Sequence, residues 1–496
     1  MKILTVPEIR AVDKYTIEHE PASSVALMER AATACYHWII SHFPTAKTVA
    51  LFCGLGNNGG DGLVIARLLA GTKRYTVDVY IFRHSANVSE DFSVNLERLK
   101  RCSNVQIFDI HSGDEFSVET YDIGIDCLFG SGLNKPVSGA LANAVQRINT
   151  GKIQTLISID IPSGLFADRH TPADAPVVEA SRTLTFGMPK LAFMFPENGG
   201  FVGNFHILDI GLHKDFINSI ETNIFYIDSC FAESLCKPRK KFSHKGTYGH
   251  ALIVAGSYGK TGAAVLSATA CLRAGAGLVT AHLPQKSVDV MQISTPEVMV
   301  SVDADEHLFS SLPEELDKYN AIAIGPGLGT HKDTLTAFAA LLRHSPRNLV
   351  IDADAINLLA SNTELIDKLP KNTILTPHIK EFERLVGKTT DDFDRFEKQK
   401  VFARKYNVIL ALKGAHTCIA LPDGRTYFNS TGNQGMATAG MGDVLTGIIA
   451  GLLAQRYIPE DAAIYGVYLH GKAGDRAAQK RSQSALIASD VIAEIR

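Results

Sequence analysis

Acids, amides and glycines gather at a few places along the chain, each just beyond a short apolar run. Phe52–Arg67 ("FCGLGNNGGDGLVIAR") holds Gly54, Gly56 and Gly59 in the G-x-G-x-x-G spacing of a dinucleotide-binding turn. Asn57, Asn58 and Asp61 add side-chain oxygens for which a plain pyrophosphate turn has no use. Asp126 ends "DIGID", the loop Gly130–Pro136 ("GSGLNKP") follows with Lys135, and Asp160 opens "DIPSG" with Ser163 close behind. Oxygen donors on tight turns can hold a cation or a ligand's hydroxyls, and a carboxylate at a strand end can be tuned to move a proton. Each Asp taken singly is as well read as the cap of the helix that follows it. Several strand ends aiming acids, amides, a lysine and backbone N–H groups at one crevice describe a site.

Hydride chemistry fits this loop poorly. A nicotinamide dehydrogenase places an acid about 20 residues on, at the end of the second strand, to hold the ribose. Asp78 has the distance but falls mid-strand in "TVDVYIF", with Arg83 and His84 at the strand's end, and the contact of the third glycine with its helix is expected to give way to the polar cluster "NNGGD".

A second set suits phosphoryl transfer. In "TAGMGDVLTGIIAG" the backbone N–H groups of Gly440, Met441 and Gly442 open an apolar helix and face any anion placed there, helped by about half a unit of positive helix-end charge. Asp443, one residue on, is placed to take a proton from a hydroxyl attacking phosphate. "GSYGKTG" (256–262) imitates a P-loop but has Val254 where the first glycine belongs. His378 follows Thr376-Pro377 and precedes Glu381, and Asp352 and Asp354 in "VIDADAINLLA" look metal-like, though helix caps explain them equally well and they stay outside the catalytic set.

Positioning these groups takes strands and helices in alternation. "TVALFC" (48–53), "TVDVYIF" (76–82), "NVQIF" (104–108), "YDIGIDCLF" (121–129) and "TLISIDI" (155–161) are apolar runs separated by helical patterns, which predicts a doubly wound, mostly parallel sheet. Two helices, "PEIRAVDKYTIEH" and "SSVALMERAATACYHWIISHF", precede it, with Glu29 in "LMERA" facing either the crevice or solvent. The rhythm fades after residue 213 and restarts at "HALIVAGS", so the expected division is 1–215, a linker at 216–236, and 237–496. In the second part "VILALKGAHTCIALPDGRTYF" (408–428) reads as a strand pair about Pro422-Asp423-Gly424. The expected fold class is therefore α/β, two three-layer αβα domains.

At 496 residues two domains of roughly 200–280 residues are the natural prior. The near balance of 49 Lys+Arg against 52 Asp+Glu, with "KPRKK" (237–241) as the one short basic run, argues against nucleic acid as the main partner. No apolar run reaches bilayer length and the first 20 residues lack a leader's apolar core, so a cytoplasmic protein with no membrane partner is expected. The eight scattered cysteines read as reduced core thiols.

"NNGGDG", "DCLFGSGLNKP" and "DIPSG", in this order, resemble the NAD(P)H-hydrate epimerase family over residues 1–215. The resemblance implies a Rossmann-like domain in which Asn57, Asn58, Gly59, Gly60 and Asp61 contact the hydrated dinucleotide together with Gly130, Ser131, Gly132, Leu133, Asn134, Lys135 and Pro136. It further implies that Asn58, Asp126 and Ser163 ligate a potassium ion, that Asp160 works at the reacting carbon and that Lys135 is its partner in proton transfer.

"YGHALIVAGSYGKTGAAVLSATACLRAGAGLVT", "GPGLG", "LTPHIKEFERL", "LALKGAHTCIA" and "GMGDVLTGIIAG" resemble the ADP-dependent NAD(P)H-hydrate dehydratases, ribokinase-like proteins, over about 235–496. That likeness implies that Ala263, Gly327, His378 and Asp443 contact the hydrate, and that Lys413, Gly414, Ala415, His416, Thr417 and Gly442 hold the adenine nucleotide. Met441 departs from the Ser or Thr common in relatives, which matters little if only its amide is used. The implied whole is a repair enzyme that interconverts the R and S hydrates of NADH and NADPH (NADHX and NADPHX) and dehydrates the S epimer while ADP, or ATP, is split. Magnesium is the expected companion of the nucleotide and a homo-oligomer the expected assembly. The competing reading is a ribokinase-like small-molecule kinase fused to a dinucleotide-binding or scaffold domain.

Overall fold

β1 (Thr48–Cys53) is buried along nearly its whole length, the mark of a strand covered by helices on both faces. It lies in a computed structural model that describes every residue except 21–22 and 112–115. The chain forms two units, Lys2–Thr222 and Asn223–Arg496, with Met1 grouping with the second.

The first unit continues with β2 (Thr76–Phe82), β3 (Val105–Ile110), β4 (Tyr121–Cys127), β5 (Ile153–Ile159), β6 (Arg182–Phe186) and β7 (Asn204–Leu208). They form one sheet in the order β3-β2-β1-β4-β5-β6-β7, with parallel pairing throughout. Growth reverses between β1 and β4, and a ligand crevice opens at the carboxyl edge of such a switch point. The leading helices span Val6–His19, closed by a Thr5/Glu8 capping box, and Ser24–His42, capped by Ser23. The third glycine of the G-x-G-x-x-G pattern does make its close contact, contrary to expectation. A Cβ on Gly59 would lie 1.9 Å from the Gly54 carbonyl oxygen, so the polar cluster is added to the tight turn and does not replace it.

The second unit comprises β8 (Ile224–Tyr226), β9 (His250–Val254), β10 (Leu278–Leu283), β11 (Met299–Val302), β12 (Ala321–Ile324), β13 (Leu349–Ile351), β14 (Ile374–Leu375), β15 (Ile409–Leu412), β16 (Cys418–Ala420) and β17 (Thr426–Phe428). The sheet runs β11-β10-β9-β12-β13-β14-β15-β16-β17-β8, antiparallel only at β15-β16 and β16-β17. Two local expectations change. Residues 216–236 are not bare linker: Ile224–Tyr226 adds the edge strand β8 beside β17, an apolar run too short to stand out in the sequence. Residues 408–428 hold three strands, because a turn at 413–417 separates β15 from the hairpin that Gly424 closes.

The helix Met441–Ala454 is buried along almost its whole length and packs against the helix Thr261–Arg273, where the Ser267 hydroxyl donates to the Asp443 carbonyl at 3.0 Å. No helix among the described residues is long and apolar enough to cross a membrane. Cys35, Cys53, Cys127, Cys271 and Cys418 are buried free thiols, whereas Cys230 and Cys236 are exposed, outside the core expected for them.

Candidate active sites

At the carboxyl edge of β1 and β4, Asn58 stands in the first turn of the helix Asn57–Gly71. Its Nδ2 donates to the carbonyls of Phe129 (2.8 Å) and Ile159 (3.1 Å), which leaves Oδ1 buried with no hydrogen-bond partner among the described residues. Asp126, at the end of β4, accepts from the Ser163 hydroxyl (2.6 Å), the Ser158 hydroxyl (2.7 Å), and the amides of Ser163 (2.9 Å) and Leu128 (3.2 Å). Burial still raises its pKa against these four bonds. Ser163 Oγ also lies 3.2 Å from the Phe129 carbonyl, so Asn58 and Ser163 meet at one backbone oxygen, with Asp126 joined to them through Ser163.

Asp160 follows β5 with φ +67°, a backbone setting uncommon outside glycine. Its Oδ1 meets Lys190 Nζ at 2.8 Å and its Oδ2 accepts the Ser131 amide at 3.0 Å. Gly130 stands so close that a Cβ there would lie 3.3 Å from that Oδ2. Burial works to raise the Asp160 pKa, but the Lys190 charge and the hydrogen bonds outweigh it and hold the carboxyl below its usual value. Lys190 comes from just beyond β6, is 1% exposed, and also donates to Thr185 at 2.9 Å. Two more carboxyls face this pair. Burial, followed by the charges of Asp160, Asp13 and Asp91, pushes Asp61 well above the carboxylate range. Burial and then Asp160, opposed by Lys190, raise Asp13 to about 6.

Lys135, by contrast, is exposed, as are Asn57, Asn134 and Pro136 in the same two loops. Glu29 is claimed by Arg67, with Arg98 at 3.6 Å. Asp78 accepts the Tyr121 hydroxyl at 2.7 Å, well inside β2.

In the second unit the site assembles around the amino end of the helix Met441–Ala454. Gly440 caps it at φ +86°, a turn that a side chain would strain. Lys413, just beyond β15, donates to Asp352 Oδ1 at 2.7 Å, and Thr446 donates to Asp352 Oδ2 at 2.8 Å. Asp352 occupies a cap position, yet its carboxylate serves this lysine and this threonine. A Cβ on Gly442 would lie 3.2 Å from Lys413 Nζ, which brings the ammonium to the Gly440–Gly442 turn. Burial raises Asp443 to about 7, assisted by Asp352 and Asp354 and opposed by Lys413.

The segment 413–417 forms a tight turn in which the Thr417 hydroxyl accepts the Gly414 amide (3.3 Å) and donates to the Gly414 carbonyl (3.1 Å). The Lys413 amide donates to the Pro377 carbonyl at 2.9 Å, which places the exposed His378 beside the same turn. His378 caps the helix Ile379–Val386 and bonds with Glu381. Gly327 lies against Ala263, and Asp354 links this area to Lys260 (3.7 Å) and the Gly329 amide (2.8 Å).

Two family matches divide the chain as these sites do: residues 24–192 match the family described as YjeF-related protein N-terminus, and residues 251–496 match NAD(P)H-hydrate dehydratase. Over nearly its full length the chain is 36% identical to the bifunctional NAD(P)H-hydrate repair enzyme Nnr of Moorella thermoacetica, covering 99% of this chain and 95% of that one. It belongs to the bifunctional NAD(P)H-hydrate repair enzymes. The repair enzyme of the same name from Escherichia coli is 32% identical, covering 95% of this chain and 88% of its own. Among solved structures, an ADP/ATP-dependent NAD(P)H-hydrate dehydratase from Bacillus subtilis, co-crystallised with ATP and Mg2+, is 31% identical; it covers 55% of this chain and 97% of its own, with a TM-score of 0.49.

Three residues of this repair enzyme at the sites escape a reading of the sequence. Lys190 lies 30 positions from Asp160 in a stretch without motif, "GMPKLAF". Asp13 belongs to the leading helix, where it looks like one more surface acid. His470, from the helix Pro459–Arg481, bonds to the Met441 backbone, and burial followed by the Lys413 charge lowers it to about 4. Its Nε2 is buried without a partner among the described residues. The Met441 backbone ties His470 to the "GMGD" turn; the other two carry no signal beyond residue type.

Proposed function

We propose that the first unit interconverts the epimers of hydrated NADH and NADPH at Asp160, and that the second dehydrates the S epimer using a phosphoryl group gripped at Gly440–Gly442 beside Asp443. The observation that carries this reading is a lysine–aspartate ion pair at each site with a raised carboxyl beside it: Lys190 on Asp160 near Asp61, and Lys413 on Asp352 near Asp443.

Epimerisation at a carbon bearing a hydroxyl and a ring nitrogen needs one group to protonate the departing atom and another to receive the proton afterwards. Asp160, ionised by Lys190 and the Ser131 amide, is the base. The acid is drawn from the raised carboxyls beside it, of which Asp61 is one. The helix end at Asn57–Asp61 and the loop Gly130–Pro136 hold the dinucleotide, and Lys135, exposed, serves its phosphates better than the reacting carbon.

The orphaned Asn58 Oδ1, the Asp126 carboxylate, the Ser163 hydroxyl and the Phe129 carbonyl form an all-oxygen donor set suited to a hard monovalent cation such as potassium. When bound, the ion supplies fixed positive charge to ligand oxygens.

In the second unit the amides of Gly440–Gly442 and the Lys413 ammonium take the nucleotide's terminal phosphate, with the turn Gly414–Thr417 against the nucleoside. Ala263, Gly327 and His378 border the hydrate. Asp443 receives the proton of the hydrate hydroxyl, whose oxygen forms a bond to the terminal phosphorus while the bond to the departing nucleotide breaks. With ADP the leaving product is AMP. The ring nitrogen's lone pair then expels phosphate, and loss of a proton from the adjacent carbon yields the dihydronicotinamide. Magnesium brought with the phosphates would neutralise charge there, and Asp354, whose Oδ1 has only a 3.4 Å contact from Asn357 among the described residues, would be a carboxylate to hold it.

The test incubates a mixture of NADHX epimers with ADP or with ATP and follows recovery of the dihydronicotinamide near-ultraviolet band. Complete recovery supports both activities. Recovery that stalls at the S fraction removes the epimerase, and a stable phosphorylated product indicates a kinase.

A further inference from the structure

We infer that Asp13 is a further member of the reacting set in the epimerase site, the carboxyl that passes a proton to the departing hydroxyl opposite the ionised Asp160; the inference rests on the epimerase reading above. Its placement carries the argument. The helix Val6–His19 lies over the substrate loop, where Arg10 Nη2 is 3.5 Å from the Gly132 carbonyl and would sit 2.5 Å from a Cβ on that glycine. Asp13 follows three residues later on the same helical face. It makes no hydrogen bond or ion pair among the described residues, although it is only partly exposed. A half-buried carboxyl without a partner costs stability, which marks it as retained for another purpose.

The groups that face it are Asp160 and Lys190 from the sheet edge and Asp61 from the helix Asn57–Gly71, with Arg10 one turn back on its own helix and the buried Cys35 thiol behind Asp61. Lys190 is committed to Asp160 and Thr185, so no cation neutralises Asp13 directly.

The step balances as follows. The Asp13 carboxyl gives its proton to the hydrate hydroxyl; the carbon–oxygen bond breaks, water forms, and the ring nitrogen's lone pair makes the carbon–nitrogen double bond. Water then adds to the opposite face as Asp160 takes the proton released. Transfer of that proton from Asp160 to Asp13, across the pocket they share, restores the starting state. No oxidant, reductant or nucleotide is consumed.

The experiment uses the full chain without nucleotide, so that dehydration is silent, and follows conversion of purified R epimer to S by chromatography from pH 5 to 9, less the uncatalysed exchange. For the wild type, kcat/KM should fall as pH rises through about 6, as Asp13 loses its proton. Asp13→Asn should lower kcat by about 100-fold with KM within about threefold, and remove that limb. Asp13→Glu should restore at least a tenth of the rate with the limb displaced. Dehydration of pure S epimer with ADP, assayed in parallel, should stay at the wild-type rate in both variants. A variant Asp13→Asn that keeps the limb, or more than a third of the rate, overturns the inference, as does a loss confined to KM. If Asp13→Asn does not fold, Asp13→Glu and the wild-type profile decide: no limb near pH 6, or no rate in a folded Glu variant, overturns it. Exchange that is absent even in the wild type removes the epimerase reading itself, whereas exchange abolished by Asp160→Asn and untouched by Asp13→Asn removes this inference alone.

Discussion

Both sites are built on a lysine–aspartate pair, and the pairs point opposite ways. In the first unit the lysine is hidden and the carboxylate opens to the crevice: the Lys190 side chain is 1% exposed and that of Asp160 14%. In the second the carboxylate is hidden and the lysine opens: Asp352 is 1% exposed and Lys413 22%. The same ion pair therefore presents an anion at one site and a cation at the other. An anion is what a hydroxyl proton needs, and a cation is what a phosphate needs. In each case the buried partner pays the desolvation and fixes the charge of the one that works.

The sharpest break of this comparison is removal of the proposed base on each side. Asp443→Asn should lower dehydration by about a thousandfold and leave R-to-S exchange at the wild-type rate, with Asp160→Asn doing the reverse. Loss of both activities in either folded variant would end the division of labour. Next come the lysines. Lys190→Met leaves Asp160 unpaired beside raised carboxyls and should cost the first unit about 3 kcal/mol, read as an earlier denaturant midpoint, together with exchange activity. Lys413→Met should weaken nucleotide binding by about 100-fold, measured by calorimetry, because a phosphate contact and the partner of Asp352 disappear together. Equal losses of nucleotide affinity in both variants would erase the polarity difference.

A smaller effect concerns pH. As the proposed base, Asp443 has to be ionised to accept a proton and is raised to about 7, so dehydration kcat/KM should climb as pH rises through about 7 and level off above it. Exchange, which uses a carboxylate held below its usual value, should show no such rise between pH 6 and 8. The mildest test is Asn58→Leu, which removes the orphaned oxygen. Potassium should speed exchange in the wild type over a lithium control, and the variant should lose about tenfold in rate along with that response.

Much of this was legible in the residues, for identifiable reasons. Loops at strand ends carry their chemistry within a few consecutive positions, so "NNGGD", "DIPSG" and "GMGD" announce themselves, and alternating apolar runs announce the sheets that hold them. Lys190 and Asp13 reach Asp160 only through the topology: one arrives after a further strand, the other from a helix at the start of the chain. The family likeness implied Lys135 as proton-transfer partner; the structure leaves Lys135 exposed and puts the buried Lys190 on Asp160. Asp352 was ambiguous for a related reason. A cap and an ion-pair partner look alike until the Lys413 ammonium is seen on the carboxylate rather than an amide of its own helix. Residues 224–226 were missed because three apolar positions are below what periodicity can detect.

That last element has a practical side. β8 shields the outer rim of β17, and Phe225 stacks on Tyr427 with ring centroids 5.0 Å apart. A gene fragment cut to begin at Lys237, where the chain's composition invites the cut, would strip that ribbon away and leave an apolar edge ready to join another molecule's sheet. Splitting the coding sequence ahead of Asn223 keeps the rim closed, and the two fragments should differ in how much remains in the supernatant.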